Sequence, residues 1–126
     1  MAELVVVDAS AVVDLLLRSE ATLPSGASLV APAHLDAEVL SALARLCRAE
    51  VLSDGAVVDM LEGLAELPLD RVPLPRLLLS AFELRDNVSQ RDSLYVALAQ
   101  QLEAPLLTLD HRLATACRQR NLCAVL

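Results

Sequence analysis

Asp8, Glu38, Asp92 and Asp110 are the residues of this chain whose types and positions suit chemistry. Asp8 ends the apolar run LVVVD, Asp110 ends LLTLD, Glu38 lies within HLDAEVLSAL, and Asp92 lies within SQRDSLYVALAQ. Carboxylates brought into one small volume repel one another unless positive charge lies between them. The chain contains no lysine, so that charge would come from a metal ion, and all-oxygen ligation points to Mg²⁺ or Mn²⁺ rather than zinc. Ions of this kind usually act on phosphate esters, where they activate a water for in-line attack and stabilise the charge that grows on the leaving oxygen.

Structural roles compete for the same residues. Asp8 could cap the helix that follows it, Asp110 could be the N-cap of HRLATACRQR, and Asp92 could close a Ser89-x-x-Asp92 capping box. Glu38 is harder to assign to structure, because Leu35, Val39, Ala42, Leu43 and Leu46 form the apolar stripe of its helix and Glu38 stands beside that stripe. Asp36 and Glu50 read as solvated helix charges. His34 is one helical turn before Glu38 and His111 follows Asp110; both read as supporting or surface residues.

The elements that must position these side chains alternate between two patterns. Leu4–Val7, Ser28–Ala31, Leu69–Val72, Leu106–Leu109 and Leu122–Val125 read as strands, the first an uninterrupted apolar run of the kind buried in a parallel sheet. Helices are expected near Ala11–Leu17, Ala33–Ala49, Asp54–Leu67, Arg76–Leu84, Gln90–Leu102 and Arg112–Arg118, with Pro24, Gly26, Pro32, Pro68, Pro73, Pro75 and Pro105 at the joints. Such alternation gives an α/β fold, a three-layer α/β/α sandwich on a mostly parallel sheet of about five strands. Asp8 and Asp110 then project from one carboxyl edge, where open α/β sheets bind ligands. Helices that follow strands start at that edge, which brings Glu38 there; the helix of Asp92 follows another helix, so its placement rests on the tertiary fold.

Length and composition narrow the classes. The 126 residues suit one domain, residues 1–126, with a core that needs no disulfide staples. No stretch approaches the length of a membrane span, and no basic region precedes an apolar one as in a secretory signal. The expected location is the cytoplasm, where Cys47, Cys117 and Cys123, odd in number and without CxxC spacing, remain free thiols. A net charge of −7 argues against simple electrostatic attraction to nucleic acid. All ten basic side chains are arginine, whose planar fork suits phosphate, although genome base composition explains such a bias equally. A P-loop, which requires lysine, is excluded.

The four segments VVVDASAVVDLLL, PAHLDAEVLSAL, RDSLYVALAQ and PLLTLDHRLATAC resemble, in order and approximate spacing, the PIN-domain family, and look most like its VapC-type toxin branch. The likeness runs from about residue 4 to residue 126. It implies that Asp8, Glu38, Asp92 and Asp110 are metal-binding carboxylates, with Ser10 and Thr108 as polar neighbours. The implied activity is Mg²⁺- or Mn²⁺-dependent endoribonuclease cleavage of structured RNA, often transfer or ribosomal RNA. The implied partners are a VapB-type antitoxin and a second copy of the chain. Residues 50–90 match less well.

Arg91 and Arg112 flank two of the proposed ligands, and either could hold a phosphate bidentately or simply carry surface charge. The 56% hydrophobic content exceeds the roughly 45–50% of ordinary domains, so part of it is expected in an interface. Val57, Met60, Leu61 and Leu64 form one stripe, opposite Asp59, Glu62 and Glu66. That stripe is either core alone, or this helix or its neighbour at Val39–Leu46 also lines a groove for a partner's helix. A receiver-like phosphoacceptor also gathers acids at strand ends, but normally needs a lysine. A non-catalytic binding module with a decayed site is opposed by retention of all four acids.

Overall fold

The computed structural model describes residues 3–17 and 26–126. In chain order the elements are β1 (Glu3–Val7), α1 (Ala9–Leu17), β2 (Ala27–Pro32), α2 (Leu35–Arg48), α3 (Asp54–Glu66) and β3 (Leu69–Val72). A 3₁₀ turn (Leu74–Arg76), α4 (Leu78–Glu83), α5 (Gln90–Leu102), β4 (Leu106–Leu107) and α6 (His111–Gln119) follow. The sheet has the order β3-β2-β1-β4, and every adjacent pair is parallel. Val5, Val6 and Val7 of β1 are fully buried, as a central strand covered on both faces requires.

Helices α1, α2 and α3 pack on one another, whereas α4 packs on α5 and α5 lies across β1 and β2. This is the expected three-layer α/β/α arrangement. Its logic follows from the handedness of crossovers. From β1 the chain steps outward to β2 and β3 through α1, α2 and α3. It then returns through α4 and α5 to β4 on the far side of β1. The strand order therefore reverses between β1 and β4, and a crevice opens at the carboxyl ends of these two strands. Helix α5 crosses the middle of the molecule, so Ser93, Tyr95, Val96, Ala97, Leu98 and Ala99 are all buried; a helix apolar nearly all round is a core helix.

The sheet is smaller than expected. β4 stops at Leu107, and beyond it the Leu109 and Asp110 amides donate to the Ser10 and Thr108 hydroxyls rather than to a ladder. The segment expected as a fifth strand contributes only one bridge, Val125 to Leu106. Upstream of that bridge the end of α6 dictates the path, since Asn121 is left-handed (φ 53°) and the Leu122 amide donates to the Cys117 carbonyl at 2.9 Å, a helix-terminating turn that delays extension. Asp36 is also not merely a solvated charge. Arg71 on β3 holds it bidentately, Nη2 to Oδ1 at 2.8 Å and Nε to Oδ2 at 3.1 Å, tying α2 to the outer strand. Glu50, by contrast, is exposed as expected, and adopts a left-handed φ of 60° just beyond α2.

The stripe on α3 serves the core: Met60 and Leu64 are buried, and Val57 and Leu61, partly buried, pack against the same cluster. Val39 and Leu43 of α2 are likewise fully buried. Large apolar side chains are exposed on α4, where Leu78, Leu79 and Phe82 cluster, Leu79 at 73%, and singly on α2 and α3 at Leu40 and Val58. All three cysteines are free, Cys117 buried and the others partly so. Among the described residues no helix is long and apolar enough to cross a membrane.

Candidate active site

Asp8 leaves β1 into the crevice and is only 5% exposed. Its Oδ1 accepts from Ser10 Oγ at 2.6 Å and from the Ala11 amide at 3.0 Å, while Oδ2 accepts from Thr108 Oγ1. Asp8 thus caps α1, and the capping alternative is correct as far as it goes. The two hydroxyls do more, because each also accepts a backbone amide from the end of β4. Leu109 N donates to Ser10 Oγ at 2.9 Å, and Asp110 N donates to Thr108 Oγ1 at 3.0 Å. The D-x-S and T-x-D segments therefore form one stitch between adjacent strand ends, which the Val7–Leu107 register places side by side. Burial pushes the Asp8 carboxyl above its ordinary pKa; these hydrogen bonds oppose that rise and the charge of Asp110 adds to it.

Asp110 is the N-cap of α6, accepting from the Arg112 amide at 2.9 Å and the Leu113 amide at 3.3 Å, both at Oδ1. Its carboxylate also lines the crevice, so cap and site coexist. Asp92 stands in the first turn of α5, whose N-cap Ser89 accepts the Asp92 amide at 3.3 Å. Burial raises its pKa, and the charges of Asp110, Glu38 and Asp8 raise it further against a lowering hydrogen bond with Ser89. Asp92, whose placement the sequence left to the tertiary fold, is the acid that feels the other three.

Glu38 projects from α2 with its side chain 17% exposed. Tyr95 on α5 donates its hydroxyl to Glu38 Oε1 at 2.5 Å, and Arg91 Nη1 lies 3.5 Å from Oε2. His34 is a supporting residue. Its ring packs on Tyr95 at 4.7 Å between centroids, and its Nε2 meets the Arg91 carbonyl at 3.2 Å. Burial and the Glu38 carboxylate push the Tyr95 pKa up, which keeps the phenol protonated as the donor. Tyr95→Phe is therefore expected to leave the Glu38 charge short of a donor and to lower stability by about 1–3 kcal/mol, read as the change in urea midpoint. An unchanged midpoint would mean that Tyr95 does not hold Glu38.

All four acids line one cleft of about 370 Å³, together with Ser10, Arg45, Arg91 and Tyr95. Among the described residues no three acidic, histidine or cysteine side chains are gathered into a ready-made metal cage; the carboxylates stand along the walls of an open cleft. The donor set still fits a hard divalent cation. It is all oxygen, and Asp8 and Asp92 have raised pKa values, first from burial and then from neighbouring carboxylates, which a bound cation would offset.

Of the two flanking arginines only Arg91 reaches the cleft. Arg112 lines a separate depression on the outer side of α6, as does His111. Two cleft residues carry no sequence signal of their own, although both follow helical phase. Tyr95 is three residues beyond Asp92, and Arg45 is seven beyond Glu38, so each shares a face with its acid.

The PIN domain family profile matches residues 5–119. The chain belongs to the PIN-domain family. Within that family it groups with the VapC type. This PIN domain is 46% identical to Ribonuclease VapC3 of Mycobacterium tuberculosis, over 90% of this chain and 88% of the relative. It is 43% identical to Ribonuclease VapC1 of the same species, over 88% and 89%, and 37% identical to Ribonuclease VapC12, over 88% and 90%. The PIN domain also superposes on the crystal structure of PAE2754 from Pyrobaculum aerophilum. The TM-score there is 0.66 at 21% identity, over 92% of this chain and 86% of the other, a likeness of fold.

Proposed function

We propose that this PIN domain is a divalent-metal-dependent endoribonuclease, the toxin of a type II toxin-antitoxin pair, acting in the cytoplasm on structured RNA such as transfer or ribosomal RNA. The observation that carries the reading is electrostatic. Carboxylates from four separate segments line one cleft, and the pKa of Asp92 is raised first by burial and then by the charges of all three others. Carboxyl groups perturbed by burial and by one another in a cleft are characteristic of functional sites. The names of the VapC relatives support ribonuclease as the activity, and by extension a VapB-type antitoxin as partner. The exposed apolar face of α4 supports association, for which a homodimer is the simplest form.

Asp8, Glu38, Asp92 and Asp110 would hold the Mg²⁺ or Mn²⁺. Bound there, the ion supplies a water of lowered pKa and positive charge for the oxygens that become anionic during hydrolysis. Ser10 and Thr108 fix both oxygens of Asp8, and the α6 cap fixes one oxygen of Asp110 while the residue still faces the cleft. Tyr95 fixes Glu38 across the cleft. Arg91, 79% exposed and resting on Glu38, can turn a guanidinium edge to a phosphate at the mouth. The antitoxin would silence the same site most simply with an arginine, whose guanidinium replaces the metal's charge and pairs with a carboxylate.

Hydrolysis joins the water oxygen to phosphorus and breaks the bond to O3′, leaving a 5′-phosphate and a 3′-hydroxyl. Mapping the ends of cleaved RNA tests this reading, and such ends are the expected result. A 2′,3′-cyclic phosphate would mean attack by the RNA's own 2′-hydroxyl and would move the chemistry to His34. No cleavage of any RNA would leave a non-catalytic binding module. A receiver-like phosphoacceptor is disfavoured by the absence of lysine and by the PIN match.

A further inference from the structure

Beside the acidic cleft lies a depression of about 390 Å³ on the outer side of α6, lined by Asn87, His111, Arg112, Thr115, Gln119 and Arg120, with Ala116 at its floor. In a chain with seventeen acids and a net charge of −7, none of those lining residues is acidic. Residues 111–126 contain three arginines, a histidine and no Asp or Glu. The depression begins where the cleft ends. Leu109 and Asp110 line one, and His111 and Arg112 line the other. The Arg112 amide is fixed on Asp110 at 2.9 Å, so the two are held in register.

Its polar groups are built to donate. Arg120 Nη1 reaches Asn87 Oδ1 at 2.7 Å, which braces the guanidinium across the trough. That single bond leaves most of its N–H donors open, since the group carries five. Arg112 and Arg120 lie eight residues apart along α6 and its C-cap and border the same trough. Two cations about 12 Å apart along a helix suit separate phosphates of one polyanion better than one small anion.

We propose that this trough binds backbone phosphates of the RNA strand next to the scissile bond. It accounts for an acidic protein engaging RNA: the α6 face that adjoins the cleft carries arginines and no acidic lining residue, and supplies the attraction. This inference rests on the proposed ribonuclease reading for its substrate, but it is tested by binding alone.

The test uses the full chain carrying Asp110→Asn, to prevent cleavage, in Mn²⁺ buffer. The probe is a fluorescein-labelled single-stranded RNA of mixed sequence and about twenty nucleotides. Removing one arginine that pairs with a phosphate should weaken binding and reduce the slope of log K against log salt by about 0.7. Adding Arg120→Glu is therefore expected to raise Kd by about tenfold and to flatten the slope by about 0.7 or more. Arg112→Glu should do the same, and it keeps its backbone bond to Asp110 should the Arg120 change disturb the Asn87 brace. Arg76→Glu, the same charge change in the turn after β3, where the Arg76 carbonyl accepts from Gln101 near the end of α5 distant from Asp92, should leave both nearly unchanged. Equal weakening in all three would reveal a general charge effect and overturn the trough. So would RNA binding that neither α6 variant alters, including the case where those variants impair only capture of a poly-glutamate peptide, which would make the trough a site for an acidic protein segment. RNA that binds through the trough but is never cleaved by the unsubstituted chain would instead defeat the ribonuclease reading and leave the trough standing.

Discussion

Asp110→Asn is expected to reduce RNA cleavage by at least about 100-fold, the scale of some 3 kcal/mol of lost transition-state stabilisation, while leaving the fold as stable as before. Asn ranks with Asp as an N-cap, and its carbonyl oxygen can keep the bonds from the Arg112 and Leu113 amides that Oδ1 now accepts. The substitution thus removes charge from the cleft and nothing from the helix. Kinetics and a thermal melt in chelator, run on the same preparation, separate the roles. Full activity in Asp110→Asn would reduce Asp110 to a cap. Asp8→Asn should be equally inactive but is a less clean probe. Its amide would face Ser10 and Thr108 hydroxyls that already accept from Leu109 N and Asp110 N. Asp92→Asn should melt no lower than the parent in chelator, because burial and three neighbouring charges already oppose its ionised form.

EDTA is expected to abolish cleavage, and excess Mg²⁺ or Mn²⁺ to restore it. The metal should also act on stability without any substrate. Four carboxylates that repel one another in the folded cleft are scattered in the unfolded chain, so an ion that binds there stabilises the native state by mass action. At one hundred times its Kd the gain is about 2.7 kcal/mol, a rise of roughly 6–12 °C in Tm for a domain of this size. Asp110→Asn should lose most of that rise, whereas Arg76→Glu, remote from the cleft, should keep it. Cleavage that persists in EDTA, together with a Tm indifferent to either ion, would sink the metal reading and leave the carboxylates without a role.

What local sequence could determine was the identity of the elements and their chemistry. LVVVD and LLTLD are short apolar runs closed by an acid, and burial alone makes such runs strands and leaves the acid at their edge. The α/β alternation, the three layers and the edge positions of Asp8, Asp110 and Glu38 were legible for that reason, because each depends on neighbours a few residues away, whereas the place of Asp92 depended on the tertiary fold. The amphipathic pattern of α3 declared an apolar face, yet a pattern does not state what covers that face; packing put Met60 and Leu64 into the core. The strand order was beyond any local signal. β1 and β4 are about a hundred residues apart, and only the reversal of direction after β3 makes them neighbours and opens the cleft between them. The Tyr95 hydroxyl on Glu38 spans 57 residues, and the Thr108 hydroxyl on Asp8 spans 100. Arg91 and Arg112 look alike in sequence, each beside an acid, and helix phase sends one into the cleft and the other to the outer face of α6. Sequence periodicity specifies which side of an element is buried; which two elements then share an edge is settled by the sheet as a whole, since their contacts form only once the chain between them has folded.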